Sequence, residues 1–376
     1  MAAVLATLIL GSAACSSDGA DTPAAADTEA EASTTSPPGP GQGPAVGSAG
    51  CASAAAEPAE QVVRGSSEQE VDQGGRARTY RRFVPADYEP DVPAPLVVDL
   101  HGLTMTADLE AALTGFEDLA DEEGFVVVTP QGLGDIPFWN FISAGVATDD
   151  VAFLGDLVEQ VGADLCIDTS RVYASGISNG GLMSSALACR LPDVFAAVAP
   201  VAGVAFLPGC DEGPPVGFQA VYGTGDNVLP YDGGLGGNLQ GFLAENPLDE
   251  SRASTDEQRG QISSIAFASV DDTLAAWAER NGCDGEPVEE RVSGEVVRRS
   301  WPDCDGGAEV VLYVVEGGGH TWPGTPLLVD RSDAGGGRAQ ADTAAGGLAS
   351  VAGQTTDDIS ATALAWEFFQ RHQLDP

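Results

Sequence analysis

The run Val172-Tyr173-Ala174-Ser175-Gly176-Ile177-Ser178-Asn179-Gly180-Gly181 decides how this chain is read. Val172–Gly176 has the composition of a buried strand, and Asn179–Cys189 continues as a helix. Between them lies G-x-S-x-G, a strand–turn–helix element whose tight turn pushes the serine outward. The flanking glycines permit close backbone approach at that turn. A serine hydroxyl is a weak nucleophile until a base removes its proton. The sequence holds three histidines, His101, His320 and His372, so the choice of base is narrow.

His320 follows Gly317-Gly318-Gly319, just past the apolar strand Val310–Val315. A general base belongs on a loop at the carboxyl edge of a sheet, and this position fits. Asp226 follows the strand Gly217–Tyr222 and would orient the imidazole and stabilise its charged form. Asp232 is the alternative acid; Asp226 is preferred because it lies directly beyond the strand end. The order Ser178, Asp226, His320 is that of α/β-hydrolases. In that fold a loop after an earlier strand supplies one oxyanion donor, and His101-Gly102 follows the strand Leu96–Leu100. We assign the two donors to the backbone N–H groups of Leu103 and Asn179, the latter at a helix N-terminus. His101 itself is read as structural, and His372 as a surface residue of the last helix.

Outward from these points, strand and helix signals alternate. Order is expected to begin near Arg78–Val84. Ala107–Glu122 reads as one helix, Phe125–Thr129 as a strand stopped by Pro130, and Asp149–Gly162 as a helix with acids at its N-terminus. Ala196–Pro200 reads as a strand; Val270–Asn281 and Ile359–Phe369 read as helices. Apolar strands separated by helices predict an α/β class, a mostly parallel sheet covered on both faces. Gly233–Gln261 and Leu327–Gln354 are too long for ordinary connections and are read as surface insertions following the candidate catalytic residues.

The chain has 376 residues, 57 of them acidic and 16 basic, with a formal net charge of -41. Such a balance argues against nucleic acid as a partner and against attraction to anionic lipid. It speaks to a solvated surface rather than to fold. Residues 16–60 are rich in Ala, Ser, Thr, Pro, Gly and acid, a composition that cannot bury enough surface to offset its ordering entropy. Three regions are therefore expected: a signal peptide over 1–14, a disordered tether over 15–60 and a catalytic domain over 61–376.

Ala2–Leu10 is a short apolar run followed by Gly11-Ser12-Ala13-Ala14-Cys15. This has the form of a signal peptide, and the cysteine after two alanines looks like a bacterial lipobox. Cys15 would then carry lipid and provide the sole membrane attachment, giving an extracellular protein or a cell-surface lipoprotein. Ser12 stands where leucine is usual, and Lys and Arg are absent before the run. The other six cysteines are an even number suited to an oxidising compartment. Cys283–Cys304 is the one expected bridge, across a predicted hairpin; the pairing of Cys51, Cys166, Cys189 and Cys210 stays open. Their spacing matches no zinc motif, so no metal site is expected.

Several segments resemble the exported esterase family that includes polyhydroxybutyrate depolymerases and feruloyl esterases. These are Val98-Asp99-Leu100-His101-Gly102, Asp149-Asp150-Val151-Ala152-Phe153, Ser175–Gly181, Gly223-Thr224-Gly225-Asp226, Gly317-Gly318-Gly319-His320-Thr321-Trp322-Pro323-Gly324 and Ala365-Trp366-Glu367-Phe368-Phe369. The resemblance runs over roughly residues 78–371. It implies an α/β-hydrolase fold and carboxylic ester hydrolysis without a cofactor, with Ser178, Asp226 and His320 in the matching positions. Tyr222 departs from a common histidine before Gly223. Trp139 and Trp322 are candidate aromatic walls for an aryl or polyester substrate, with core packing as the alternative. The expected activity is depolymerisation of polyhydroxyalkanoate oligomers. The alternatives are feruloyl or acetyl ester cleavage on plant polysaccharide, or a noncatalytic ligand-binding lipoprotein.

Overall fold

The computed structural model describes residues 43–54, 62–142, 149–245, 268–325 and 352–375. The signal segment and Cys15 lie outside the described residues, as does most of both insertions. The helices are α1 (Ala49–Ala54), α2 (Ala107–Thr114), α3 (Phe116–Glu123), α4 (Asp150–Asp164), α5 (Asn179–Arg190), α6 (Gly237–Glu245), α7 (Val270–Arg280) and α8 (Ala361–Phe369). The strands are β1 (Gly65–Gln73), β2 (Arg76–Val84), β3 (Ala94–Leu100), β4 (Val126–Pro130), β5 (Ile167–Ile177), β6 (Ala197–Val201), β7 (Gly217–Gly223), β8 (Val288–Arg291), β9 (Val296–Trp301) and β10 (Val310–Val315).

Among the described residues, ten strands join one sheet in the order β1-β2-β4-β3-β5-β6-β7-β10-β9-β8. β4, β3, β5, β6, β7 and β10 run parallel, and antiparallel hairpins finish both sides. β4, β6, β7 and β10 are buried at every position, as a sheet covered on both faces requires. Side chains alternate between two cores. Leu96 and Val98 of β3 join Phe153 and Leu157 of α4, Met183 of α5 and Trp277 of α7. Val97, between them, faces the other way, toward Phe116 of α3 and Trp366 and Phe368 of α8. Stacked rings lock both layers, Phe218 on Trp277 at 4.5 Å and Phe125 on Trp366 at 4.0 Å.

After β3 the chain adds β4 on one side, then crosses to add β5 on the other. The crevice between the carboxyl ends of β3 and β5 is therefore a topological switch point, where open α/β sheets bind ligands. Leu103 follows β3 and Ser178 follows β5, so the sequence places its key residues at that crevice.

Four expectations need correction. The helix expected over 107–122 is broken at Gly115, whose φ of 68° ends α2 and starts α3. The tether expected over 15–60 is ordered at its described part, 43–54. There the Ser48 hydroxyl donates to Leu165 O, the amide of Val46 donates to Asp168, and Cys51 is bridged to Cys166. Hydrogen bonds and a disulfide replace the apolar side chains this segment lacks. β1 lies outside the expected strands, because a polar edge strand carries little hydrophobic signal, whereas β8 and β9 form the hairpin expected between Cys283 and Cys304. His372 lies beyond α8 and is buried, its Nδ1 2.8 Å from Phe368 O. Burial pushes its pKa down. The expected Cys283–Cys304 bridge is present, and Cys189 pairs with Cys210.

Candidate active site

Ser178 adopts φ 57° and ψ -116°, a conformation that costs a non-glycine residue about 1–3 kcal/mol. The surroundings enforce it. Its amide donates to Val201 O at 2.9 Å, and its carbonyl accepts from Leu182 at 2.9 Å. Gly180 packs so closely on β3 that a Cβ would sit 1.8 Å from Leu100 O. Gly203 is pressed on the elbow the same way, 2.1 Å from Ser178 O. Alanine at Gly180 would drive α5 from β3, and alanine at Gly203 would push the loop after β6 off the elbow. The serine itself is half-buried.

Leu103 belongs to a loop bent by Thr104, whose φ is 70°. Thr104 N–H donates to Pro137 O at 2.9 Å, and Met105 N–H turns back to Gly102 O at 3.1 Å. The amides of Leu103 and Asn179 have no acceptor among the described residues. Two unpaired N–H groups beside a serine are what an oxyanion hole needs.

His101 is buried and structural, as expected. Its Nε2 accepts from Gly132 N–H at 2.8 Å, so Nδ1 carries the proton toward Gly102 O at 2.8 Å. Burial, helped by the nearby Arg78 guanidinium, pulls its pKa down to about 4. The ring therefore stays neutral and holds this tautomer.

Trp139 and Trp322 are not exposed walls; both are essentially inaccessible to solvent. Trp139 braces the crevice from behind. Its indole N–H donates to His101 O at 3.0 Å, its amide to Asn179 Oδ1 at 2.6 Å, and its carbonyl accepts from Asn179 Nδ2 at 3.1 Å. Trp322 donates to Thr362 Oγ1 at 2.9 Å and packs edge-on to Phe116. Each ring has a polar partner inside the core, which is why burial wins over a surface role.

Asp226 and His320 are brought together: His320 Nδ1 lies 2.7 Å from Asp226 Oδ2. The other carboxylate oxygen accepts from Val228 N–H at 2.8 Å and Leu229 N–H at 2.9 Å, so the acid cannot swing. Asp232 is exposed, away from this pairing. The loops carrying the pair are joined by hydrogen bonds. Gly225 N–H donates to Gly318 O at 2.7 Å, and Gly317 N–H to Thr224 Oγ1 at 2.8 Å. A Cβ added at Gly223 would sit 2.2 Å from Gly318 O, and one added at Gly319 2.0 Å from Ala352 O, so these glycines serve loop packing. Tyr222 donates its hydroxyl to Leu229 O at 2.9 Å and supports the acid loop. Residues 352–354, where the second insertion ends, return to this place: Gln354 O accepts from Gly319 N–H at 2.7 Å.

Two buried features went unread in the sequence. Arg78 and Asp150 pair at 2.7 Å with both side chains fully buried, and the guanidinium lies 3.6 Å from the Phe153 ring centroid. Asp150 also accepts from Asn140 N–H at 2.9 Å, fixing the segment that carries Trp139. The available signal was the doublet Asp149-Asp150: only Asp149 caps the helix, by accepting from Ala152 N–H. The second feature is Asp99 with Glu110, both fully buried next to the crevice. Glu110 sits at the apolar spacing of α2, with Ala107, Ala111 and Thr114.

The sheet order, the strained serine at the switch point and the His320–Asp226 pair define an α/β-hydrolase. Residues 80–211 match the family model described as Esterase PHB depolymerase. A protein of Aspergillus niger named "Probable feruloyl esterase C" is 30% identical over 264 residues, covering 68% of this chain and 80% of that protein. The chain belongs to this esterase family. It is also 29% identical over 245 residues to feruloyl esterase B of Piromyces equi, covering 63% of this chain and 41% of that protein. A bifunctional acetylxylan esterase/xylanase of Neocallimastix patriciarum is 32% identical over 169 residues, covering 45% of this chain and 24% of that protein. The chain thus spans under half the length of these last two relatives.

Proposed function

We propose that this chain is a serine esterase acting through Ser178, His320 and Asp226, with the amides of Leu103 and Asn179 as oxyanion donors. The observation that carries the proposal is the 2.7 Å contact between His320 Nδ1 and Asp226 Oδ2. With Nδ1–H committed to the carboxylate, Nε2 keeps its lone pair and acts as the base. Ser178 Oγ adds to the ester carbonyl as its proton passes to Nε2. The oxyanion forms against the two free amides. Collapse expels the alcohol, which takes the proton from the imidazolium, and leaves an acyl-serine. Water, deprotonated by the same Nε2, then releases the acid.

For the acyl group, the relatives named for feruloyl and acetylxylan esters favour an ester on plant polysaccharide. A 3-hydroxybutyrate oligomer is the second reading, supported by the name of the matched family. The burial of Trp139 and Trp322 removes the aromatic walls that would have argued for either. Three disulfides favour an oxidising compartment, in line with export and with lipid on Cys15. Initial rates on methyl ferulate, acetylated xylo-oligosaccharide and 3-hydroxybutyrate oligomers, beside Ser178→Ala, test the reading. Serine-dependent preference for one of the first two is expected. Preference for the hydroxybutyrate oligomer reverses the substrate assignment, and turnover that survives Ser178→Ala overturns the chemistry.

A further inference from the structure

A buried pair of carboxyl groups lies beneath the crevice, and the ester chemistry above does not use it. Asp99 is on β3 and Glu110 on α2, and both are fully buried. Thr114 Oγ1 donates to Asp99 Oδ2 at 2.7 Å. Asp99 Oδ1 and both Glu110 carboxyl oxygens have no hydrogen bond of ordinary geometry among the described residues. The groups facing Glu110 are Asp99 and the backbone amides of Gly102 and Ile177. Gly102 immediately precedes Leu103, and Ile177 immediately precedes Ser178. Glu117 on α3 faces Asp99 and is itself held by Arg81 at 2.5 Å. Among the described residues, no cation offsets charge on Glu110.

A buried carboxylate without a cation is costly, whereas a protonated one both donates and accepts. We propose that Glu110 is a positioning residue for the oxyanion loop. Protonated and donating to Asp99 Oδ1, it accepts from the amides of Gly102 and Ile177 and fixes the spacing of Leu103 N–H from Ser178. The hydroxyl proton satisfies the free Asp99 oxygen, and the Glu110 carbonyl oxygen draws the elbow and the loop toward one point. Burial, reinforced by Asp99, holds Glu110 well above the usual carboxylate range and so favours the protonated form. The catalytic part of this proposal rests on Ser178 being the nucleophile; the loop-holding part does not.

The test compares parent, Glu110→Ala and Glu110→Gln by amide hydrogen exchange over residues 100–106 and 175–178 and by pH–rate profiles on p-nitrophenyl acetate. Glu110→Ala should speed exchange in both segments and lower kcat by about 10–100-fold with little change in KM, since one misplaced oxyanion donor costs on that order. Glu110→Gln keeps a donor and an acceptor, so kcat near neutral pH should stay within about threefold of parent, by the same hydrogen-bond inventory. It has no proton to lose as pH rises, so its alkaline decline should begin at higher pH than the parent's. A folded Glu110→Ala with parental exchange and kcat overturns the proposal. If that variant does not fold, a Glu110→Gln profile identical to the parent's on the alkaline side overturns it instead. Absence of Ser178-dependent turnover in the parent would fail the esterase reading alone, with the exchange data still deciding whether Glu110 holds the loop.

Discussion

The elbow at Ser178 and the loop at His320 share one edge of the sheet but are held by different means. Around Ser178 the chain uses volume: Gly180 and Gly203 admit backbone at distances no side chain tolerates, and buried Trp139 clamps Asn179 and His101 from behind. Around His320 it uses hydrogen bonds between loops, with one carboxylate at the end of the chain of contacts. The first device stores strain in a rigid core. The second sets the direction of one ring through one polar partner, beside the point where a long insertion returns to the fold. Loss of packing should therefore damage the serine side through stability, and loss of a single charge should damage the histidine side through rate.

The largest expected effect is on the histidine side. Asp226→Asn keeps shape but no longer demands an N–H on Nδ1, so kcat should fall by about 10³–10⁴-fold with the melting temperature nearly unchanged. Asp232→Asn, in the same loop but exposed, should leave kcat within about twofold, as surface changes usually do. Equal losses in the two variants would mean that the pairing of Asp226 with His320 does not set the rate. On the serine side, Trp139→Ala should cost about 3–5 kcal/mol by denaturant titration, through the cavity and the lost indole bond. A stability loss under about 1 kcal/mol would mean that the clamp is not packed as described.

A smaller effect concerns Asp99. Burial pushes its pKa up to about 7, above the unfolded value near 3.9. The folded state then binds more protons than the unfolded state between these values. Stability must fall as pH rises from about 4 through about 7, by the linkage of proton binding to folding. Asp99→Asn should flatten that slope, by a few kcal/mol at most given the coupling to Glu110. Urea midpoints at several pH values measure it, and a slope unchanged from parent would place the titration elsewhere.

What was legible in the sequence follows the same division. G-x-S-x-G between a strand and a helix is a local signal, and the strand-end positions of Asp226 and His320 follow from apolar runs. Those signals survive because each fits within a dozen residues. The role of Trp139 was not legible, since an indole on a loop reads equally as a wall or as core until its partners Asn179 and His101 are known. Residues 43–54 look like tether because their order comes from Leu165, Cys166 and Asp168, more than 100 residues away. The break at Gly115 was missed because the apolar spacing continues through it. Glu110 was visible as an acid at a core position of α2, a conflict that periodicity alone passes over.

The central claim is that Ser178 becomes acylated with His320 as its base. The most direct measurement is acid-quenched intact mass and peptide mapping of the protein during turnover of p-nitrophenyl acetate. An acetyl group on the peptide containing Ser178, absent in Ser178→Ala and much diminished in Asp226→Asn, is the predicted result. Full turnover with no acyl-protein, or an acetyl group on another residue, would contradict the account.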